Sequence, residues 1–349
     1  MNTNLPGGVA GQRHLGNPGE RSVWLIKILL SFGVIFILIL LILGLMVWLG
    51  KPVAPKPMGS IGMPFRAVDY SDLPHVQFTT ARDGTRLAYR HYGSAKKRPL
   101  GLVVLVHGSS ARSSSMHPLA KDLSAAGWEA YALDIRGHGE SGEKGKVAYV
   151  GQLEDDLQDF MGNVPGPSPK MLVGISSGGG FALRVAGSDR QSLFDGYLLL
   201  SPFLSPKAAT IRKDSGGWVG VGIPRIIALV ILNKLGIRVF NDLPVLAFAL
   251  SREDAALLTP AYSYNLWSGF QPHDDYQRDI LFSKRPMAVL EGVEDEVFRA
   301  DRFVGEFGVN ENVQVTLVPG LNHVGLILDP RGIRAIRNAL DRLRQRVIP

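Results

Sequence analysis

The chain has 349 residues, of which 46% are hydrophobic and 20% are charged, and its formal net charge at pH 7 is +7. This length suits one large domain with an attachment, or two small domains. The sequence contains no cysteine, which excludes disulfides, thiolate catalysis and metal sites with cysteine ligands. The positive charge would attract an anionic membrane surface or nucleic acid, and its distribution along the chain favours neither strongly.

The first fifty residues contain a polar tail and an uncharged apolar segment. Residues 1–22 are rich in glycine, asparagine and proline without periodicity, and we predict that they are disordered. Residues 28–50 carry no charge, and roughly twenty apolar residues suffice to cross the hydrocarbon core as a helix. We therefore predict a transmembrane anchor over residues 23–50 that contacts the lipid bilayer through residues 28–50. A cleavable signal peptide is the alternative, although its apolar region would span only about 7–15 residues.

The charges that flank the apolar segment do not determine its orientation. Three cationic residues precede or enter it and three follow it: Arg13, Arg21 and Lys27, then Lys51, Lys56 and Arg66. The rule that cationic flanks stay in the cytoplasm therefore gives a tie. The short tail before the segment favours a single-pass protein of the plasma or inner membrane with its large domain outside the cytoplasm.

A linker and the start of a sheet follow the apolar segment. Residues 51–74 are rich in proline and glycine and are predicted as a linker, and residues 75–349 as the folded domain. Residues 76–80 and 86–91 have strand character, and Asp83-Gly84 predicts a hairpin turn between them. The continuous apolar run at 102–106 is typical of a strand buried on both faces of a parallel sheet.

Helix and strand patterns alternate from this point to residue 200. The predicted helices span 116–126, 149–161 and 178–187, and the predicted strands span 129–133, 171–174 and 196–200. The alternation resumes with a strand at 286–290, a helix at 300–307, a strand at 313–318 and a final helix. We therefore predict an α/β fold with a mostly parallel, doubly wound sheet.

The stretch between the two alternating regions is too long for a loop in a compact domain. It is predicted as a cap with its own helices over about residues 203–285. Apolar runs at 226–232 and 235–240 are interpreted as cap helices. They would form the core of the cap, cover an apolar pocket or lie against the bilayer.

The last nineteen residues contain six arginines and one acidic residue. Ile333, Ile336, Leu340 and Leu343 recur there at helical spacing. We predict an amphipathic helix whose arginines face water, and hence no nucleic-acid partner.

The segment Gly174-Ile175-Ser176-Ser177-Gly178 follows a short predicted strand. It has the Gly-x-Ser-x-Gly pattern of a nucleophile elbow, a sharp turn that lifts the serine hydroxyl clear of the sheet. Glycines two residues before and after Ser176 leave room for this turn. The pattern predicts Ser176 as a nucleophile, with an ordinary glycine-rich turn as the alternative.

A serine hydroxyl is a weak nucleophile that requires a base, itself oriented by a carboxylate. In a fold with a nucleophile elbow, the acid and the histidine follow the serine in that order along the chain. Asp295 follows the strand at 286–290 and His323 follows the strand at 313–318. We therefore predict Ser176, His323 and Asp295 as a catalytic triad. Glu294 and Glu296 are alternative acids, which a tight loop would point in other directions.

Two backbone N–H groups are needed where negative charge develops on the substrate. Ser177 directly follows the nucleophile, and Ser109 lies in the loop after the strand at 102–106. We predict the N–H groups of these two serines as an oxyanion hole. The sequence has no phosphate-binding glycine motif and no His-Glu-x-x-His or similar ligand cluster, so we expect no cofactor and no metal.

Five segments together resemble the α/β-hydrolase superfamily. They are Val106-His107-Gly108, the run Leu-Asp-Ile-Arg-Gly-His-Gly-Glu-Ser-Gly at 133–142, the elbow, 292–295 and Gly-Leu-Asn-His at 320–323. The resemblance spans about residues 75–345 and is greatest to the branch of serine aminopeptidases, monoacylglycerol lipases and lysophospholipases. Ile175 departs from this branch, where histidine commonly follows the first glycine of the elbow. His138 lies in a structural segment of the family and receives no catalytic role.

Together with the predicted anchor, the resemblance implies a membrane-anchored serine hydrolase of carboxylic esters with the triad named above. The anchor and the apolar cap suit lipid or long-acyl substrates, such as monoacylglycerols or lysophospholipids. An aminopeptidase or amidase with the same triad is one alternative, which acidic cap residues that bind a free amine would mark. The candidates are Glu253, Asp254, Asp274 and Asp275. The other alternative is a non-catalytic, membrane-tethered binding protein on the same fold.

Overall fold

The computed structural model describes residues 18–212 and 217–348. Over these residues the chain forms eleven strands: β1 (Gln77–Thr80), β2 (Arg86–Tyr92), β3 (Leu102–Val106), β4 (Glu129–Leu133), β5 (Lys170–Ile175), β6 (Gly196–Leu200), β7 (Val219–Val221), β8 (Pro244–Phe248), β9 (Ala261–Ser263), β10 (Met287–Gly292) and β11 (Val313–Val318).

Twelve α-helices accompany these strands in the described residues: α1 (Pro18–Leu49), α2 (Gly59–Arg66), α3 (His117–Ala126), α4 (Gln152–Asn163), α5 (Ser177–Ala186), α6 (Ile223–Lys234), α7 (Arg252–Leu257), α8 (Tyr264–Gly269), α9 (Tyr276–Phe282), α10 (Ala300–Phe307), α11 (Gly325–Leu328) and α12 (Pro330–Val347). Short 3₁₀ segments lie at Ser113–Met116 and Asp189–Leu193.

Eight of the strands form one sheet in the order β1-β2-β4-β3-β5-β6-β10-β11. β1 and β2 pair antiparallel, as do β2 and β4, and all other pairs are parallel. Every residue of the central strand β3 is buried, because helices cover both faces of the sheet. The predicted α/β fold and the hairpin at Asp83-Gly84 are thus confirmed. The carboxyl ends of β3, β5, β10 and β11 meet at one edge of this sheet.

Helix α12 packs along one face of the sheet through Ile336, Leu340 and Leu343, which are buried. Arg331, Arg342 and Arg346 lie on its exposed side. The predicted amphipathic final helix is therefore confirmed, and its register follows from the helical spacing of the apolar residues.

The insertion between β6 and β10, which we call the cap, was predicted to be helical, but it also contains strands. It contains α6 to α9 and a second, antiparallel sheet in the order β7-β8-β9. The helix predicted at 235–240 is also absent, because α6 ends at Lys234. Gly236 adopts a left-handed φ of 80°, and the N–H of Ile237 donates to the carbonyl of Leu232 at 2.9 Å. This is a Schellman motif, which turns the chain away from the helix axis.

Helix α1 begins at Pro18, so residues 18–22 are helical and not part of a disordered tail. The prediction for residues 1–17 falls outside the described residues. Within the described part of the chain, one helix, Ser22–Leu49, is long and apolar enough to cross a membrane. Most of its side chains are exposed, as expected of a helix that is not part of a protein core.

The last turns of α1 pack against the cap, and we call this contact the α1–cap junction. Leu43 and Val47 are buried in a cluster with Leu229 of α6 and Val245 of β8. The guanidinium of buried Arg225 donates hydrogen bonds to three carbonyls, those of Val47 (2.7 Å), Trp48 (3.3 Å) and Pro244 (2.7 Å). A cation is favourable here because the last carbonyls of a helix are unpaired and carry partial negative charge.

The segment at 51–74 is more ordered than the predicted linker. It contains α2, with Pro64 inside the helix, where one backbone hydrogen bond is lost. Ile61 packs against the larger core cluster and Phe65 against the core on the opposite face of the sheet. These tertiary contacts stabilise a helix that its proline and glycine content disfavours.

Candidate active site

Ser176 lies in a sharp turn between β5 and α5, at the carboxyl edge of the sheet. Its backbone has φ 56° and ψ −121°, a strained conformation for a residue with a side chain. A Cβ at Gly174 would lie 2.1 Å from the carbonyl oxygen of Gly178, and one at Gly178 would lie 2.4 Å from that of His107. Both glycines are therefore required for the turn to close.

Asp295 and His323 come from the loops after β10 and β11 and meet beside this turn. Nδ1 of His323 lies 2.7 Å from Oδ2 of Asp295, and both residues are buried. The other carboxylate oxygen of Asp295 accepts hydrogen bonds from the backbone N–H groups of Val297 (2.7 Å) and Phe298 (2.8 Å). Because Asp295 is fixed on one side, its second oxygen is directed at the imidazole.

The environment of this pair sets its protonation. Burial by itself raises the pKa of Asp295, but the charge of His323, its hydrogen bond and the Phe298 N–H outweigh burial and lower that pKa to about 2. Burial by itself lowers the pKa of His323, whereas the charge of Asp295 and the shared hydrogen bond raise it above its ordinary value. The result is a carboxylate that accepts from Nδ1–H and leaves Nε2 as the free acceptor of the neutral ring.

The alternative acids do not face the imidazole. Glu294 is exposed, and Oε2 of Glu296 accepts from the backbone N–H of His323 at 3.0 Å. Of the acidic cap residues, Asp274 is exposed, Asp275 accepts from the backbone N–H at the start of α9, and Glu253 and Asp254 lie near Arg66.

Two cavities meet at Ser176. The larger has a volume of about 410 Å³ and lies between the sheet edge and the cap. Its apolar wall includes Phe203, Val219, Ile223, Ile226, Leu246, Phe248 and Trp267. The smaller has a volume of about 50 Å³ and is lined by His323, Ser176 and Gly108, together with Ile61 and Phe65 of α2.

The two serines of the predicted oxyanion hole flank Ser176. Ser109 lines both cavities and Ser177 lines the larger one. Neither backbone N–H donates a hydrogen bond to any residue that the structure describes. Both donors are therefore available to a ligand oxygen.

The cap holds the loop that carries Ser109, and the sequence did not indicate this. The hydroxyl of Tyr262 accepts from the backbone N–H of Ser110 at 2.6 Å and lies 2.6 Å from Nε2 of His138. Nε1 of Trp218 donates to Oγ of Ser109 at 2.9 Å. Burial lowers the pKa of His138 well below its ordinary value, so the neutral ring accepts from Tyr262.

A buried carboxyl group next to Asp295 was also missed. Glu291, within β10, is fully buried beside Asp295 and Ser201. Burial, with the charge of Asp295, raises the pKa of Glu291 well above its usual range. The predicted strand ended at residue 290, whereas β10 continues to Gly292, so the sequence placed Glu291 in the loop and not in the sheet.

Sequence comparison identifies the family. The profile described as serine aminopeptidase, S33 matches residues 97–330, about two thirds of the chain. A monoacylglycerol lipase of Mycolicibacterium smegmatis is 36% identical over 149 residues, which are 38% of this chain and 52% of that protein. The aligned part thus spans about half the length of this curated relative.

Two solved structures share the fold. A monoglyceride lipase from Saccharomyces cerevisiae matches with a TM-score of 0.55 and 17% identity, over 79% of this chain and 96% of that one. The monoacylglycerol lipase of Paleococcus ferrophilus matches with a TM-score of 0.54 and 21% identity, over 74% and 98%. At these identities the likeness establishes the α/β-hydrolase fold. Together with the profile match, it shows that this chain belongs to the serine aminopeptidase, S33 family of α/β-hydrolases.

Proposed function

We propose that this protein is a membrane-anchored serine hydrolase that cleaves carboxylic esters of lipid-like or long acyl groups. The observation that carries the proposal is the buried 2.7 Å contact between His323 and Asp295, on loops that meet at the strained Ser176. A neutral imidazole held in this way is suited to remove a proton from a serine hydroxyl.

In this mechanism the Oγ of Ser176 attacks the ester carbonyl while Nε2 of His323 takes the hydroxyl proton. The carbonyl oxygen becomes an oxyanion, which accepts from the N–H groups of Ser109 and Ser177. His323 then donates its proton to the leaving alcohol oxygen, and an acyl-enzyme remains. Water, deprotonated by His323, attacks this ester, and the collapse of the second intermediate releases the acid and returns the proton to Ser176.

The shape of the larger cavity supports an apolar acyl group. Its wall is aliphatic and aromatic, and its volume of about 410 Å³ is in the range of sites for small organic ligands. Ile223 and Ile227 of α6 line it and are also exposed at the surface, next to the end of α1. Entry of substrates from the lipid side agrees with this position.

The family name raises amide hydrolysis as a second candidate. An aminopeptidase needs an acidic group near the nucleophile to bind the free amine of its substrate. Among the described residues that line the two cavities, none is acidic. The proposal therefore favours esters over aminoacyl amides.

A fluorophosphonate probe tests the proposal in membranes prepared from cells that express the full chain. We expect covalent labelling of Ser176, located by mass spectrometry, and none in Ser176→Ala.

The labelled protein should sediment with membranes and resist alkaline carbonate extraction, and a tag at its carboxyl end should react with impermeant reagents outside the cytoplasm. Long-chain para-nitrophenyl esters should be hydrolysed faster than aminoacyl para-nitroanilides. Wild-type protein without label contradicts the catalytic proposal, extraction contradicts the anchor, and a tag shielded in intact cells contradicts the orientation.

The support of the oxyanion loop by Tyr262 gives a further prediction. Tyr262→Phe removes the acceptor of the Ser110 N–H, and an unsatisfied buried donor costs about 1–3 kcal/mol. We expect kcat to fall about tenfold with little change in KM, because the loop positions a donor used in the transition state. Tyr264→Phe is the matched control, since its hydroxyl has no hydrogen bond to the described residues. Equal kcat values in the two variants would argue against this role.

A further inference from the structure

Helix α2 lies between the anchor and the hydrolase domain, yet it reaches the active site. The N–H of Met58, just before α2, donates to the carbonyl of Ala249 in the cap at 3.0 Å. After α2 the chain meets the core, where Asp72 lies 3.2 Å from Nε2 of His117 in α3. The helix is thus fastened to the cap on one side and to the core on the other.

The inner face of α2 closes the smaller cavity. Ile61 and Phe65, one helical turn apart, both line it and are partly buried. Met63, on the opposite side of the same helix, is 65% exposed and lines neither cavity at Ser176. The two apolar side chains therefore stand across the cavity from the catalytic groups.

The chemistry of a serine hydrolase assigns the two cavities to different parts of an ester. Histidine delivers its proton to the leaving group, so the alcohol must lie on the side of the imidazole. His323 lines the small cavity and not the large one. The acyl chain then occupies the larger, apolar cavity, and the alcohol lies in the smaller one.

We propose that α2 is the leaving-group wall of this enzyme, and that Ile61 and Phe65 determine which alcohols it releases. The inference rests on the proposed function. With a volume of about 50 Å³, the cavity favours small or slender alcohols over bulky ones. The segment that was predicted as a linker would then determine substrate specificity. It joins the membrane anchor to the domain and also forms a wall of the cavity for the alcohol.

The test uses the full-length protein in membranes and two series of esters. The first series varies the alcohol at constant acyl group, as in ethyl and cyclohexyl octanoate. The second varies the acyl group at constant alcohol, as in para-nitrophenyl butyrate and palmitate. The ratio of kcat/KM values within one series is independent of the fraction of active enzyme. The kcat/KM value of an ester depends on the steps up to release of the alcohol, even when a later step limits kcat.

In Ile61→Ala and Phe65→Ala we expect the ratio of cyclohexyl to ethyl ester to rise about tenfold, as is typical when a pocket gains or loses one or a few methylene groups. Phe65→Trp should lower the ratio. The butyrate to palmitate ratio should stay constant in all three variants. Met63→Ala should change neither ratio, and Ile227→Ala, in the wall of the larger cavity, should change the acyl ratio alone.

Active variants with an unchanged alcohol ratio would overturn the role of α2 and leave the proposed function intact. A change in the acyl ratio instead would reverse the assignment of the cavities. A wild-type protein that accepts the fluorophosphonate at Ser176 but hydrolyses none of the esters would contradict the ester proposal and this inference with it. If Phe65→Ala does not fold, Phe65→Trp and Ile61→Ala still decide the question.

Discussion

Ser176→Ala, His323→Ala and the double variant should each lose the same factor in kcat for ester hydrolysis, roughly 10⁶-fold. The reason is that the serine and its base act as one unit, so that removing either disables the other. Residual hydrolysis would come from binding and from the N–H groups of Ser109 and Ser177, which remain in all three proteins. The measurement is steady-state hydrolysis of a para-nitrophenyl ester.

His75→Ala provides the control for this series, since His75 is exposed and lies outside both cavities at Ser176. Its kcat should equal that of the unaltered protein. Losses that multiply in the double variant would show that Ser176 and His323 act independently. Such a result is incompatible with the proposed mechanism.

Asp295→Asn should reduce kcat/KM at neutral pH by about 10³–10⁴-fold. The backbone donors of Val297 and Phe298 bond to one side-chain oxygen, so the amide nitrogen of the variant would face Nδ1 of His323. Because the amide group donates to Nδ1, the proton of the neutral ring moves to Nε2. The imidazole then has no free acceptor for the Ser176 proton. Glu294→Gln, in the same loop but exposed, should be nearly silent. A loss within tenfold for Asp295→Asn would contradict the assignment.

Asp295→Asn should also change the dependence of activity on pH. His323 must be neutral to accept a proton, and Asp295 raises its pKa above 6.5. Activity of the unaltered protein should therefore increase with pH through a midpoint above 6.5. Without the carboxylate, burial remains and lowers the pKa of His323, so the midpoint should move to lower pH. A midpoint that does not move would show that another group titrates.

The sequence predicted the large sheet well because its strands are short, mostly apolar runs between helices of clear periodicity. The predicted strands at 102–106, 129–133, 196–200 and 313–318 coincide with those of the structure. A strand that is buried on both faces consists almost entirely of apolar residues, so it can be recognised from its composition. The loops after such strands must converge at one edge, and so the positions of Asp295 and His323 could be derived from chain order.

The parts that were missed depend on contacts between distant segments. β8 is a short apolar run that pairs with β7 and β9, and its pattern alone does not distinguish a strand from a buried helix. Helix α2 contains Pro64 and two glycines, so local propensity argued for a linker. Tyr262 is far from Ser110 along the chain, and no local pattern connects the two.

The α1–cap junction makes the end of α1 a structural part of the domain. In a chain that starts after Leu49, Leu229 and Val245 would lose the apolar cover of Leu43 and Val47. The guanidinium of Arg225 would lose two of its three carbonyl acceptors, which is costly for a buried cation. A truncated enzyme would therefore expose an apolar face and associate. In the intact protein the active site is held at one tilt and distance from the end of α1, unlike a domain on a flexible tether.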